Sequence, residues 1–379
     1  MRLRIAFATS NDPTNIRSWS GTSRHMYMGL KSFADVEPIC PTLSRLQRLS
    51  LRRWKPVEIL TGKKFLPKHS ISYSLMCARY IQRRLKGKKF DLIFAPAASA
   101  EIAFLKTDLP LVYLSDATFS LMIDYYERFS NLSNSSIEQG NLIEERTLSR
   151  ASRIIMSSRW AAESVVNNYS ISPEKVSVML FGPNIEIASG KKITRPKKLS
   201  PPIRLLFVGV DWSRKGGETA CNAMKELNNR GVETYLTVCG CVPPSEFTDS
   251  RMKVIPFLDK SKPDELEAFY RLFEEAHLFV LPTRAECSGM VLGEAAAFGL
   301  PALTTRTGGL EDAFLDGVSG FLIDSPDDYL EYVEKIISLI KDDRMYPMLC
   351  QGALNRSRDV LNWETWTAGV RSVLADTVL

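Results

Sequence analysis

Short apolar runs and longer amphipathic stretches alternate along the whole chain. In the N-terminal half, runs rich in Ile, Leu, Val and Phe fall at Leu3–Thr9, Leu92–Pro96, Leu111–Leu114 and Ile154–Ser157. They are four to seven residues long, the length of strands buried on both faces. Stretches with helical period follow or separate them, at Ser72–Leu85, Ser135–Arg150 and Arg159–Tyr169. The C-terminal half repeats the scheme. Strands are predicted at Arg204–Val210, Thr234–Cys239, Met252–Ile255, His277–Leu281 and Pro301–Thr304, and helices at Glu218–Arg230, Pro263–Ala276, Gly289–Phe298 and Pro326–Lys341. Regular alternation of strand and helix predicts an α/β chain with a doubly wound parallel sheet in each half.

Length and charge support two domains. The chain has 379 residues and is 45% hydrophobic, enough for two or three domains with cores of their own. Residues 1–190 hold 26 basic and 16 acidic side chains, and the remainder holds 23 and 27, so the halves differ in character. Gly182-Pro183 closes one unit. The polar, Pro-rich stretch Ser189-Gly-Lys-Lys-Ile-Thr-Arg-Pro-Lys-Lys-Leu-Ser-Pro-Pro202 precedes the next strand. We therefore expect a domain over 1–190 and another over 191–361, two Rossmann-like sheets facing a cleft, with ligands at the carboxyl ends of the strands.

Several classes are disfavoured. The apolar run at the N-terminus is about six residues, short of the roughly seven to fifteen of a signal peptide, and reads as a first strand. No uninterrupted apolar run nears the ~18–20 residues of a membrane span. Seven cysteines include no C-x-x-C pair, and an odd count without a framework fits reduced thiols in a cytosol. The segment 45–89 holds fourteen Lys and Arg with Glu58 as its one acid. Leu43, Leu46, Leu49 and Trp54 interleave with Arg45, Arg48, Arg52 and Arg53 at roughly helical spacing. This suits an anionic membrane surface or an acidic acceptor, and equally a solvated basic face. No nucleic-acid motif accompanies the charge, and nucleic acid is not expected as a partner.

Candidate chemistry centres on Glu286-Cys-Ser-Gly-Met-Val-Leu-Gly-Glu294. A strand precedes it and Ala295 to Ala297 follow, so a helix starts near Ser288 or Gly289. Glu286 lies in the loop before that helix, and Glu294 about a turn and a half inside it. The helix start offers unpaired N–H groups and a positive dipole end, suited to an anion with hydroxyls on both sides. A sugar nucleotide is such a ligand. A second motif, Phe207-Val-Gly-Val-Asp-Trp-Ser-Arg-Lys-Gly-Gly217, places Arg214 and Lys215 beside a glycine-lined helix start. A diphosphate partner and a solvated basic turn explain it about evenly. Gly21, in Arg17-Ser-Trp-Ser-Gly-Thr-Ser-Arg-His25, and Asp116, after the Leu111–Leu114 strand, stand at strand ends. For both, position alone favours a tight turn or helix cap. Thr307-Gly-Gly309, Gly317 and Gly320 read as mostly structural. Cys239, Cys241 and Cys287 read as small core or loop residues, and His277 as structural.

Together these motifs resemble the GT-B glycosyltransferases, specifically the retaining family 4. Glu286-x7-Glu294 matches the family's E-x7-E motif, followed by Thr307-Gly-Gly309 and Gly317-Val-Ser-Gly-Phe321. Gly209 to Gly216 is similar to its phosphate-binding G-x4-(R/K)-K-G segment. Ala151 to Ser158 and the residues through Glu174-Lys-Val resemble its last N-domain strand and helix, and Asn362-Trp363-Glu364 its terminal F-S-W-E signal. The resemblance covers most of residues 150–365. It implies an acceptor-binding N-domain onto which the helix at about 362–379 packs back, and a donor-binding C-domain. Glu286 would then hold donor-sugar hydroxyls, and Glu294 the ribose. Arg214, Lys215 and the backbone N–H groups of Ser288, Gly289, Met290 and Val291 would hold the diphosphate. Gly21 would approach it from the N-domain, and the backbone near Phe257 and Leu258 would edge the base. Three departures stand out. Cys287 replaces a frequent Pro, Val210 a frequent Arg, and Ser115-Asp116 a frequent His. The last leaves Asp116 as the candidate beside the reacting carbon.

The implied reaction moves a sugar from a UDP- or GDP-linked donor to the hydroxyl of a glycan or lipid-linked acceptor, retaining anomeric configuration. Glu286, Lys215 and Asp116 are the candidate catalytic residues, and no metal or other cofactor is expected. The expected setting is cell-surface polysaccharide, glycolipid or other glycoconjugate biosynthesis. The expected location is the cytoplasm, with peripheral contact at the inner face of the plasma membrane as the variant the basic segment suggests. The alternatives are a GT-B sugar-nucleotide 2-epimerase, disfavoured by three scattered histidines, and a non-catalytic module binding sugar nucleotides or polysaccharide. A simple dehydrogenase is disfavoured, since no G-x-G-x-x-G follows the first strand.

Overall fold

A computed structural model describes residues 2–51, 55–187 and 193–378. Part of the basic segment (Arg52, Arg53 and Trp54) and the start of the Pro-rich stretch (Ser189 to Lys192) therefore lie outside the described residues. The chain divides into two compact units. The first runs to Leu180 and takes in the residues from Trp363 onward, and the second is Phe181–Asn362. The division falls at Leu180 rather than near residue 190. The strand Val176–Val178 is the last of its sheet, and residues beyond it already pack with the second core. Ile185 belongs to that core.

In the first unit the order is β1 (Leu3–Ala8), α1 (Thr22–Lys31), β2 (Ala34–Ile39), α2 (Arg45–Ser50), α3 (Lys55–Thr61), α4 (Ile71–Leu85), β3 (Leu92–Pro96), α5 (Ser99–Ile102), β4 (Leu111–Ser115), α6 (Phe119–Met122), α7 (Asn134–Arg150), β5 (Arg153–Met156), α8 (Arg159–Tyr169) and β6 (Val176–Val178). The six strands are parallel in the order β2-β1-β3-β4-β5-β6. Central β3 and β4 are buried at every position, which explains their unbroken apolar runs. Hydroxyls start the helices: Ser133 caps α7 and Ser158 caps α8, each accepting a backbone N–H three residues on.

The second unit contains β7 (Ile203–Val208), α9 (Gly217–Asn229), β8 (Thr234–Cys239), β9 (Met252–Ile255), α10 (Pro263–Glu275), β10 (Leu278–Leu281), α11 (Met290–Ala297), β11 (Ala302–Thr305), α12 (Leu310–Ala313), β12 (Gly320–Ile323), α13 (Tyr329–Lys341) and α14 (Met345–Asp359). Its strands are again parallel, in the order β12-β11-β10-β7-β8-β9. Helix α13 starts at Tyr329 and not at Pro326. The Asp328 carboxylate accepts the Glu331 N–H and fixes the first turn there.

The final helix, α15 (Trp363–Val378), packs against α1 in the first unit. Trp363 stacks on His25 with ring centroids 5.1 Å apart. Trp366 is buried and meets Phe94 edge-on at 6.4 Å. Gly29 makes room for it, because a Cβ there would lie 2.5 Å from Thr367 Oγ1. Truncating a buried Trp of this kind costs about 3–5 kcal/mol. Among the described residues, no helix is long and apolar enough to cross a membrane.

Candidate functional site

In the second sheet, β7 and β10 are neighbours, but the strands following each run outward in opposite directions. A crevice forms at the carboxyl ends of strands related in this way. Two loops fill it, one from β7 to α9 and one from β10 to α11. They interlock through backbone carbonyls: the Arg284 N–H donates to the Arg214 carbonyl at 2.8 Å, and the Arg214 side chain donates through Nη1 to the Ala285 carbonyl at 2.9 Å.

Glycine sets the fit. Gly216 has φ 75°, and a Cβ there would stand 1.9 Å from the Pro282 carbonyl oxygen. A Cβ on Gly209 would stand 2.9 Å from Lys215 Cγ. The bare backbone at both points lets the loops close and aims the Lys215 stem along the crevice.

The result is a compact charge cluster. The Lys215 ammonium pairs directly with Glu286 Oε2. Arg214 Nη1 lies 3.9 Å from the same oxygen, and its Nε lies 3.4 Å from Asp211 Oδ2. The side chains of Lys215 and Glu286 are mostly buried, so their attraction is less screened than on a surface. Gly289, at φ 59°, caps α11 and has no side chain to occupy the first-turn N–H groups. Ser288, Met290 and Val291 stay partly exposed there. An anion at this point meets two cations and a helix start, beside a carboxylate that accepts from hydroxyls.

Glu294 lies inside α11, with 5% of its side chain exposed, and its Oε1 accepts from Lys260 Nζ at 2.8 Å. Lys260 also lies 5.0 Å from the centroid of the Phe269 ring. Lys260 was not singled out from the sequence. A buried carboxylate demands a partner, but nothing local identifies which cation supplies it. The same loop, after β9, carries exposed Phe257 and half-buried Leu258.

Gly21 and Asp116 belong to the first unit. Gly21 is the N-cap of α1 at φ 100°, after Trp19 and Ser20 at φ 48° and 56°. Trp19 and Ser20, two successive non-glycine residues in the left-handed region, store backbone strain. Asp116 follows β4 but does not cap the next helix. Thr118 does so, accepting from the Leu121 N–H at 3.4 Å. Burial pushes the Cys239 and Cys241 thiols up to about 11, which disfavours a thiolate at either. Burial and the neighbouring Arg204 hold His277 down to about 4, and its ring faces the Arg204 backbone N–H at 3.3 Å.

A sheet of this order with a charged, glycine-lined crevice is the architecture of a nucleotide-binding α/β unit. The family model described as Glycosyl transferases group 1 matches residues 191–355, and the one described as Glycosyltransferase Family 4 matches residues 31–185. The D-inositol 3-phosphate glycosyltransferase of Corynebacterium efficiens is 26% identical over 316 residues, covering 77% of this chain and 73% of that protein. Sucrose-phosphate synthase from Thermosynechococcus elongatus superposes with a TM-score of 0.70 at 16% identity, covering 99% of each chain. Anabaena HepE, solved in complex with UDP, superposes at 0.64 with 13% identity, covering 99% of this chain and 100% of its own. The chain belongs to the GT-B glycosyltransferases of group 1, family 4.

Proposed function

We propose that the protein moves a sugar from a nucleoside-diphosphate donor, UDP- or GDP-linked, to an acceptor hydroxyl with retained anomeric configuration, in the synthesis of a cell-surface polysaccharide or other glycoconjugate. One observation carries this reading: Lys215 and Arg214 converge on Glu286 beside the start of α11, where Gly289 brings no side chain to the first-turn N–H groups. Glu286 accepts from donor-sugar hydroxyls, and Glu294 from the ribose. The hard step breaks the bond between C1 and the phosphate oxygen. Its electron pair goes to the diphosphate, where Lys215, Arg214 and the α11 N–H groups meet the charge. Each preorganised donor of this kind is worth about 3–4 kcal/mol. The acceptor oxygen bonds to C1 on the same face, and its proton passes to the departing phosphate oxygen. The roles implied for Gly21 and Asp116 in the first unit are part of the proposal.

The relatives lend support. The Corynebacterium protein is named for glycosyl transfer with D-inositol 3-phosphate, and HepE was also solved with UDP and glucose. We further propose a cytoplasmic location, with peripheral contact at the inner face of the plasma membrane through the basic segment 45–89.

A thermal-shift screen of UDP, GDP and their sugar conjugates tests the donor. A ligand at 100 times its Kd adds about 2.7 kcal/mol of apparent stability. Glu286→Ala should retain nucleoside-diphosphate binding and lose sugar turnover. Wild-type transfer rates in that variant, or no shift with any donor, would overturn the assignment.

A further inference from the structure

The first unit holds a concavity of 630 Å³ that the donor reading leaves unused. It opens at the carboxyl ends of β1 and β2, where Ser10 and Thr42 line it. Four cations face into it, Arg48, Lys55, Lys68 and Arg128, against one carboxylate, Glu58. Glu58 is already engaged: one oxygen accepts the Phe65 N–H at 2.9 Å, and the other lies 3.4 Å from Lys55.

Below the floor, Ser10 Oγ and Tyr73 Oη each donate to Glu101 Oε1 at 2.8 Å. Glu101 is buried beneath these two hydroxyls and is not among the side chains that line the concavity, and burial raises its carboxyl above the usual range. A concave site with low-dielectric walls and one sign of charge in excess concentrates ions of the other sign.

The rim has a second character. Arg48 of α2 and Lys55 of α3 turn toward the concavity. The same two helices expose Leu46, Leu49, Ile59 and Leu60, each by more than half. Large apolar side chains on a strongly basic rim are not what solvation alone favours. Basic and apolar groups on adjoining faces are the pattern that meets anionic headgroups and their acyl chains together.

We propose that this concavity binds a phosphate-bearing amphiphile, with its phosphate among Arg48, Lys55, Lys68 and Arg128 and its hydrocarbon along Leu46, Leu49, Ile59 and Leu60. As the acceptor of sugar transfer, that amphiphile rests on the function proposed above. As a bound ligand, it does not.

The test is calorimetry on the full chain with dihexanoyl phosphatidic acid, inorganic phosphate and UDP. Lys68→Gln and Arg128→Gln alter exposed side chains, so the fold survives them. Each should weaken phosphatidic acid by about tenfold, the scale of one charge-assisted hydrogen bond, and leave UDP unchanged. Leu60→Gln should weaken phosphatidic acid and not inorganic phosphate. Equal phosphatidic acid affinity in wild type and both charge variants overturns the site. Inorganic phosphate binding as tightly as phosphatidic acid overturns the amphiphile. Absent phosphatidic acid binding with UDP binding intact overturns this inference alone, whereas absent UDP binding removes the transfer reading and leaves the lipid result standing.

Discussion

Lys260 places its ammonium 2.8 Å from the Oε1 of Glu294, a carboxylate almost wholly enclosed by α11 and its surroundings. Removing one partner of a buried pair strands the other charge, at a cost of about 3–5 kcal/mol when both are fully buried. Lys260 is partly exposed, so solvent reduces that to about 1–2 kcal/mol for Lys260→Met. Glu294→Gln added to Lys260→Met should recover most of the loss, because no charge is then stranded. A double-mutant cycle by urea unfolding measures the coupling. Purely additive effects would show that the pair does not hold Glu294.

Gly216 and Gly231 separate steric from conformational cost. Both have positive φ, 75° and 79°, but a Cβ at Gly231 meets nothing within 4 Å. Gly231→Ala should therefore cost about 1–2 kcal/mol, the left-handed penalty alone. Gly216→Ala adds the clash with the Pro282 carbonyl and displaces Lys215. Its urea midpoint should fall well below that of Gly231→Ala, and UDP affinity should fall with it. Matching midpoints would mean that the two loops yield easily and that Gly216 does not set their fit.

These two sites also show what the chain discloses before folding. Central strands such as β3, β4 and β10 announce themselves because burial on both faces requires unbroken apolar runs. Edge strands are less legible: β9 is visible as the Met252–Ile255 run, but three others are not. β2 reads Ala-Asp-Val-Glu-Pro-Ile, β6 is only three residues, and β12 begins at a glycine. Each lies at the margin of its sheet, where polar residues and Pro are tolerated. Helix α14 is masked by Gly352, which is small because the Val318 carbonyl comes within 1.9 Å of its would-be Cβ. In the site, each glycine loop is visible singly. The meeting of Lys215 with Glu286, 71 residues apart, depends on β7 and β10 becoming neighbours, which alternation of strand and helix does not fix. Lys260 lies 34 residues from Glu294, and nothing around it distinguishes it from other surface lysines.

Glu144 makes the first unit sensitive to pH. Burial pushes its carboxyl up to about 7, with Tyr113 donating to it at 3.0 Å. In the unfolded chain the group titrates near 4.5. Between these values the folded state holds the extra proton, so stability is full below pH 4.5 and falls as pH rises toward 7, by about 1 kcal/mol per pH unit. Glu101 is shifted in the same direction by burial. Glu144→Gln keeps an acceptor for Tyr113 and removes one titration. It should match wild type at pH 4.5 and exceed it at pH 8 in urea unfolding. An unchanged pH slope would place the dependence on other groups.

Lys215 offers the sharpest division between charge and shape in the proposed donor site. Its stem lies against Gly209, and its ammonium pairs with Glu286. Lys215→Met keeps the stem and removes the charge. If the ammonium meets the diphosphate, UDP affinity falls by about tenfold or more, the worth of one charge-assisted contact, while uridine affinity is unchanged. Arg214, 3.9 Å from Glu286, offsets only part of the stranded charge, so urea unfolding should show a loss of stability beside the unchanged uridine affinity. Raising salt should weaken UDP binding more steeply in wild type than in Lys215→Met, because the variant has one fewer charge to screen. Equal losses for uridine and UDP would mean that Lys215 shapes the crevice through Glu286 and does not meet the phosphate.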